Sequence, residues 1–298
     1  MTKQDNSLAV YQKLFMNSLL HRKGAKMRAI VKAMIANLHA KPNILAELVD
    51  EVLYGMTVHI LDEPNSDWVL VRTAYQYEGY CQKEHLLIDE LQVNTWLNEA
   101  NFVVGHSFAD VLHEPRIQSA KMATLVKGSL IRYIQNNDIN KEWATVQLAT
   151  GEIGYTRTMW IHNKINKHHL SEKQLREGVV QTALSYNKTP YRWGGKSPLG
   201  IDCSGLCSMA YMLNGVYIYR DARIMDGFPI KEISFEQIQP GDLLFFPGHV
   251  AMYIGDHKYV HSSLGDNEVS INSLDKQHPD YREDLATNIT AVGSMFIN

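Results

Sequence analysis

The sequence predicts an α+β protein: two small β-modules in tandem, then a larger domain in which helices precede antiparallel strands. Three observations carry this. The first half repeats itself in register, and its apolar runs are short and broken by turn residues. The second half switches to helical spacing before it returns to strands. A chain of 298 residues has room for two or three such units.

The elements follow in order. Over 1–25, Leu8, Tyr11, Phe15 and Leu19 recur at helical spacing and predict a helical extension. Gln12, Lys13, Asn17 and Ser18 interrupt them, so the unbroken apolar core of a secretory leader is missing. No stretch approaches the roughly 20 apolar residues of a membrane span. The expectation is a cytoplasmic protein with no membrane partner. ANLHAKP at 36–42 then returns as ADVLHEP at 109–115. Gly55, Trp68 and the Gly79-Tyr80 pair return as Gly128, Trp143 and Gly154-Tyr155, at offsets of 73 and 75 residues. Runs such as VHIL at 58–61, WVLVRT at 68–73 and WATVQL at 143–148 have the length and composition of strands in small barrels or sandwiches. The two modules are expected at 26–90 and 91–163, and the larger domain at 164–298. There Ser171 and Gln174 form a capping box before the one-sided run Leu175, Val179, Val180, Ala183 and Leu184. A Pro- and Gly-rich loop separates this helix from a second, from about Cys203 to Leu213, which Gly215 is placed to end. Strands are expected at Leu243–Phe246, Val250–Ile254 and Tyr259–His261.

Composition narrows the function. With 45% hydrophobic and 20% charged residues the chain has ample core material, which excludes a disordered polymer. A net charge of −3 offers no polycation for nucleic acid. Cys81, Cys203 and Cys207 are too few for a disulfide scaffold and fit a reducing compartment or a working thiol.

Cys203 stands out because it opens a helix. Unpaired N–H groups and the helix dipole there favour a thiolate, which predicts a lowered pKa and a usable nucleophile. His249 and His261 lie in two strand-like runs joined by the turn-like GDHK at 255–258. If Ile254 pairs with Lys258, His261 opposes Ala251 and falls diagonal to His249 on the same face. A slip of one residue would separate them. The roles read from this pattern are Cys203 as nucleophile, His249 as base and then acid, and His261 as the group that holds the tautomer of His249. Cys207, one turn further along, reads as core. The cysteines and histidines match no compact zinc spacing, and neither metal nor organic cofactor is expected.

Six short elements make the reading more specific: Tyr191-Arg-Trp-Gly-Gly195, Asp202-Cys-Ser-Gly205, Arg220-Asp-Ala222, Pro240-Gly-Asp-Leu243, Gly248-His-Val250 and His261-Ser-Ser263. Their order resembles that of NlpC-type, papain-like cysteine peptidases of bacterial cell-wall peptides. The upstream modules resemble bacterial SH3-type domains. The whole arrangement is similar to γ-D-glutamyl-L-diamino acid endopeptidases, the dipeptidyl-peptidase VI group. The resemblance implies two SH3-like barrels before a papain-like catalytic domain. It also implies cleavage between D-Glu and L-Lys or meso-diaminopimelate in small murein peptides with a free N-terminal L-Ala. It further implies that Tyr77, in Gln76-Tyr-Glu-Gly-Tyr80, closes the substrate pocket, and that Tyr191 lines it. By the same match Asp202 and Ser204 hold the substrate's amino terminus, although a plain helix cap is an equal reading of Asp202 from its position.

Three alternatives remain at this level: a secreted hydrolase acting on intact wall, a catalytically idle wall-binding protein with SH3-like modules, and a papain-like acyltransferase that uses a nucleophile other than water. The intact Cys203, His249 and His261 speak against the idle form. The expected partner is a small peptide, and the expected state a monomer. Cys203→Ala should abolish turnover with little change in melting temperature; activity within about tenfold of wild type in a peptide-hydrolysis assay would remove the nucleophile assignment.

Overall fold

The duplicated half folds as two barrels built on one strand plan. The computed structural model describes residues 27–136 and 141–297; the helical extension expected over 1–25 lies outside them. The first barrel contains β1 (Arg28–Val31), β2 (Ile35–His39), β3 (Leu48–Leu53), β4 (Thr57–Asp62), β5 (Trp68–Thr73), β6 (Glu78–Gln82) and β7 (Leu86–Leu87). Its strand order is β3-β2-β6-β5-β4-β1-β7. After helix α1 (Glu90–Glu99) come β8 (Phe102–Val104), β9 (Phe108–Leu112), β10 (Lys121–Val126), β11 (Leu130–Asn136), β12 (Trp143–Gln147), β13 (Ile153–Arg157) and β14 (Ile161–Asn163). Their order, β10-β9-β13-β12-β11-β8-β14, repeats that of the first barrel strand for strand. Alternation explains why these segments are strands. On β5, Val69 and Val71 are sealed in the barrel, while Leu70 and Arg72 face outward and are only partly covered.

Helix α1 has weak one-sided patterning, and the sequence reading passed over it. Asp89 caps it by accepting from the N–H groups of Leu91 and Gln92. Its buried Val93 and Trp96 join a core that also takes Ile30 and Tyr54 from the first barrel and Val104, Ile131 and Val146 from the second. Trp96 Nε1 donates to the Gly55 carbonyl at 2.7 Å, and the Ala149 N–H donates to the Tyr54 hydroxyl at 2.7 Å. The two barrels therefore share one core rather than swinging on a linker.

In the last domain, α2 (Glu172–Leu184) and α3 (Cys203–Met212) pack against a six-stranded sheet. Its strands are β17 (Lys231–Ile233), β18 (Leu243–Phe246), β19 (His249–Gly255), β20 (Lys258–Ser263), β21 (Glu268–Ser273) and β22 (Ala291–Ser294). They are ordered β17-β22-β18-β19-β20-β21, with antiparallel pairing throughout. A short hairpin of β15 (Lys196–Ser197) and β16 (Gly200–Ile201) precedes α3 and abuts β3 of the first barrel. Val250, Met252 and Val260 enter the core under the helices, and Ala251 and Tyr259 a smaller core on the other side. A small helix, α4 (Glu283–Ala286), helps to cover that second side. No helix among the described residues is long and apolar enough to cross a membrane.

Gly55 marks how closely the barrels approach. Its φ is +77°, and a Cβ there would meet the Leu130 carbonyl oxygen at 2.4 Å. Gly55→Ala should therefore cost at least about 1–3 kcal/mol from the left-handed backbone alone, before the clash is counted. Urea unfolding checks this: the transition midpoint should fall, and an unchanged midpoint would mean that the barrels can separate freely.

Candidate active site

Cys203 is the first residue of α3, and Asp202 is its N-cap. The Asp202 carboxylate accepts from the Gly205 N–H at 2.6 Å and from the Gly194 N–H at 2.8 Å. Capping through Gly205 leaves the N–H groups of Cys203 and Ser204 among the early helix donors with no partner inside the helix. Unpaired N–H groups at a helix start are the kind of donors that stabilise an oxyanion formed beside the sulfur.

The same carboxylate is gripped from behind. Arg220, fully buried, donates Nη1 to Asp202 Oδ1 at 3.0 Å and Nη2 to Oδ2 at 2.9 Å. Its Nη1 also reaches Ser204 Oγ at 2.7 Å, and its Nε donates to Asp50 Oδ1 on β3 at 2.6 Å. Asp50 in turn accepts from the Tyr75 hydroxyl at 2.5 Å and lies 3.4 Å from the buried Lys196 ammonium. Lys196 sits 3.7 Å from the centre of the Tyr75 ring, and burial pulls its pKa down to about 8. The first barrel thus supplies part of the machinery that sets the nucleophile helix.

The thiol departs from the sequence expectation. Cys203 is 8% exposed, and burial pushes its pKa up to about 11, with the Asp202 charge acting the same way. The N–H groups of Val250 and Ser204 pull in the opposite direction and are outweighed. Desolvation of the sulfur thus works against the thiolate that a helix start favours. Cys207 and Cys81 are also buried thiols whose pKa values burial raises, and both are packing residues in their cores.

Val250, whose N–H faces the sulfur, is the neighbour of His249. His249 Nε2 and His261 Nδ1 are 2.8 Å apart. The hairpin reaches this by a different local route from the one expected. Gly255 pairs with Lys258, a bulge absorbs one residue, and Met252 then pairs with Val260. The register at the histidines is the same as if Ile254 had met Lys258. His261 is fully buried, with Nε2 2.8 Å from Asn272 Oδ1 on β21.

Asn272 settles the protons. Its Nδ2 donates to the Asp280 carbonyl at 3.1 Å, so its Oδ1 is the atom that faces His261. His261 therefore carries its proton on Nε2, a position that the Asp266 carboxylate at 3.5 Å also favours. Its Nδ1 must then accept from His249 Nε2–H, which leaves His249 Nδ1 unprotonated and able to take a proton. Burial and the neighbouring His261 lower the His249 pKa to about 4, so in the free protein burial favours the neutral form of both the imidazole and the Cys203 thiol. Sequence reasoning missed Asn272 and Asp266 because isolated Asn and Asp residues near a strand end carry no local signal.

The remaining expected residues divide into two groups. Tyr191 lies close to the thiol: burial raises its pKa to about 12, and the charges of Cys203 and Asp202 add to this. Tyr77 reaches across from the first barrel and donates to Asp221 Oδ1 at 3.0 Å. Asp202 and Ser204, expected to hold an amine, are instead engaged with Arg220, and five donors already surround the Asp202 oxygens. Glu51, next to Asp50, is buried with Oε1 lacking a hydrogen bond and only Arg192 nearby, at 3.7 Å. Desolvation raises its pKa.

The bacterial SH3 domain profile matches residues 36–86, and the NlpC/P60 family profile residues 188–287. Over 271 residues the chain is 64% identical to dipeptidyl-peptidase 6 of Lysinibacillus sphaericus, covering 91% of this chain and 100% of that one. It is 25% identical over 265 residues to the gamma-D-glutamyl-L-lysine dipeptidyl-peptidase of Bacillus cereus, covering 80% and 74% of the two chains. The crystal structure of an NlpC/P60 family protein from Bacillus cereus matches with a TM-score of 0.71 at 21% identity, over 89% of this chain and 98% of that one; this is a likeness of fold. The protein is a cysteine peptidase, and so a hydrolase. More narrowly, the chain belongs to the NlpC/P60 family.

Two outcomes follow from the neutral thiol and the fixed tautomer. Alkylation of Cys203 by iodoacetamide should keep accelerating as pH rises from 7 and level off only near 11, since a raised pKa delays the thiolate. A plateau between pH 6 and 8 would instead mean a standing thiolate–imidazolium pair. Asn272→Ala should lower kcat at least about tenfold with little change in KM, because His261 can then turn over its tautomer.

Proposed function

We propose that the protein hydrolyses the amide bond between the γ-carboxyl of D-Glu and the amino group of L-Lys or meso-diaminopimelate. Its substrates are small murein peptides whose N-terminal L-Ala is free. Cys203 passes its proton to His249 Nδ1 as the sulfur attacks the γ-carbonyl, and the Cys203 and Ser204 N–H groups receive the oxyanion. His249 then protonates the departing amine, leaving a thioester. Water, deprotonated by His249, attacks the thioester and releases L-Ala-D-Glu with the thiol restored. His261 and Asn272 keep the imidazole in the tautomer these steps need. Consumption of such free peptides, as in their recycling, suits this reading, and a reducing cytoplasm suits an unpaired nucleophilic thiol.

The observation that carries the specificity is the Tyr77–Asp221 contact between the first barrel and the peptidase domain. It closes one end of the site next to a cluster of four carboxylates (Asp50, Glu51, Asp202, Asp221) that meets three cations (Arg192, Lys196, Arg220). The Asp221 carboxylate accepts from Tyr77 and has no salt bridge among the described residues, so an ammonium can pair with it. Asp202 is a poor candidate for that ammonium, because its lone pairs are already taken. Asp221, with Tyr77, takes its place in this reading, and Asp202 and Ser204 act on the substrate indirectly by holding α3.

The test uses L-Ala-γ-D-Glu-L-Lys, its diaminopimelate counterpart and their N-acetylated forms, with products read by mass. The free-amine peptides should be cleaved at least about 100-fold faster, because a capped amine leaves the half-buried Asp221 carboxylate without its cation. Asp221→Asn should narrow that gap, whereas Asp202→Asn should slow free and acetylated peptides alike. Equal rates on free and acetylated peptides would sink the assignment.

A further inference from the structure

The two barrels, helix α1 and the far end of α3 meet around a cavity of about 360 Å³. That lies within the size range of small-molecule sites, and a junction between domains is where such sites concentrate. Trp96, Val103, Leu130, Met212 and Tyr217 make its walls mainly hydrocarbon and aromatic. One cation, carried by an exposed residue, borders this cavity. Lys164 lies in the segment between the second barrel and α2, with its backbone N–H fixed on the Asn101 carbonyl at 2.8 Å. Among the described residues its ammonium has neither hydrogen bond nor ion pair. Partial burial lowers its pKa, and no carboxylate opposes the shift. An ammonium without a partner beside an apolar cavity can pair with the negative group of a ligand whose apolar part fills that cavity.

We propose that this cavity binds a small anionic amphiphile, with its apolar part against Trp96, Leu130 and Met212 and its carboxylate on Lys164. The site is separate from the thiol and does not depend on the peptidase reading. Tyr75 forms the partition between the two: it lines the cavity, while its hydroxyl is held by Asp50 in the network around Arg220. An occupant would therefore touch the turn that leads from Tyr75 to Tyr77.

Calorimetric titration of the full chain tests this with three probes of equal chain length: octanoate, octanol and octyltrimethylammonium, each below its micelle concentration. Octanoate should bind saturably at one site, and the other two at least about tenfold more weakly. Lys164→Met should erase the advantage of octanoate over octanol. Leu97→Trp, introduced from the partly exposed side of α1, should fill the cavity and abolish octanoate binding while the melting temperature holds. Absence of saturable octanoate binding overturns the proposal, as does equal binding of the three probes. Octanoate binding that both substitutions leave unchanged overturns it too.

Discussion

A single buried guanidinium ties the molecule together. Arg220 stands between Asp50 on the first barrel and Asp202 at the start of the nucleophile helix, and all three are buried. Such a group is tolerated away from water only when its charge and donors are matched, and here Asp50, Asp202 and Ser204 match them. The requirement runs in both directions. Without the barrel, Arg220 would lose Asp50; without Arg220, the carboxylate that caps α3 would face a low-dielectric interior with only neutral donors. The barrel is thus part of the peptidase, and its contacts through Tyr77, Glu47 with Trp193, and Glu51 with the Lys196 backbone follow from the same docking.

The second barrel shows what the first one adds. The two share a strand plan, yet at the repeat offset Asp50 corresponds to Ala123 and Tyr77 to Glu152. The second copy therefore has no carboxylate for Arg220 and no phenol for Asp221. It shares a core with the first barrel across α1 and rests Lys127 on the α2 end through Ser185 and the Tyr186 ring. The two copies are equivalent scaffolds, and only the first carries side chains that reach Arg220 and Asp221.

Burial also decides the state of the nucleophile. The same exclusion of water that makes hydrogen bonds to an oxyanion strong makes a resting thiolate costly. Burial therefore favours the neutral forms of Cys203 and His249 until the sulfur attacks. That arrangement places more demand on the tautomer of His249, which explains why a buried His261 is held at both nitrogens, by His249 and by Asn272.

Much was legible from the sequence alone because it rests on local rules. Duplication is visible as an offset, α2 as a capping box before a one-sided apolar run, and α3 as a cap, a small-residue start and a closing glycine. The pairing of His249 with His261 follows from strand alternation, which tolerated a bulge the sequence did not announce. What the sequence could not supply were contacts between distant segments: Asp50 with Arg220, 170 residues apart, Tyr77 with Asp221, 144 apart, and Asn272 behind His261. Helix α1 was missed for a related reason, since its two buried residues face two different barrels. The sign of the Cys203 shift belongs with these. A helix dipole is a local property that sequence can place, whereas desolvation depends on everything packed around the sulfur. The residue order determined which groups were available for chemistry; only the tertiary structure decided which carboxylates were already satisfied, and so which remained for a substrate.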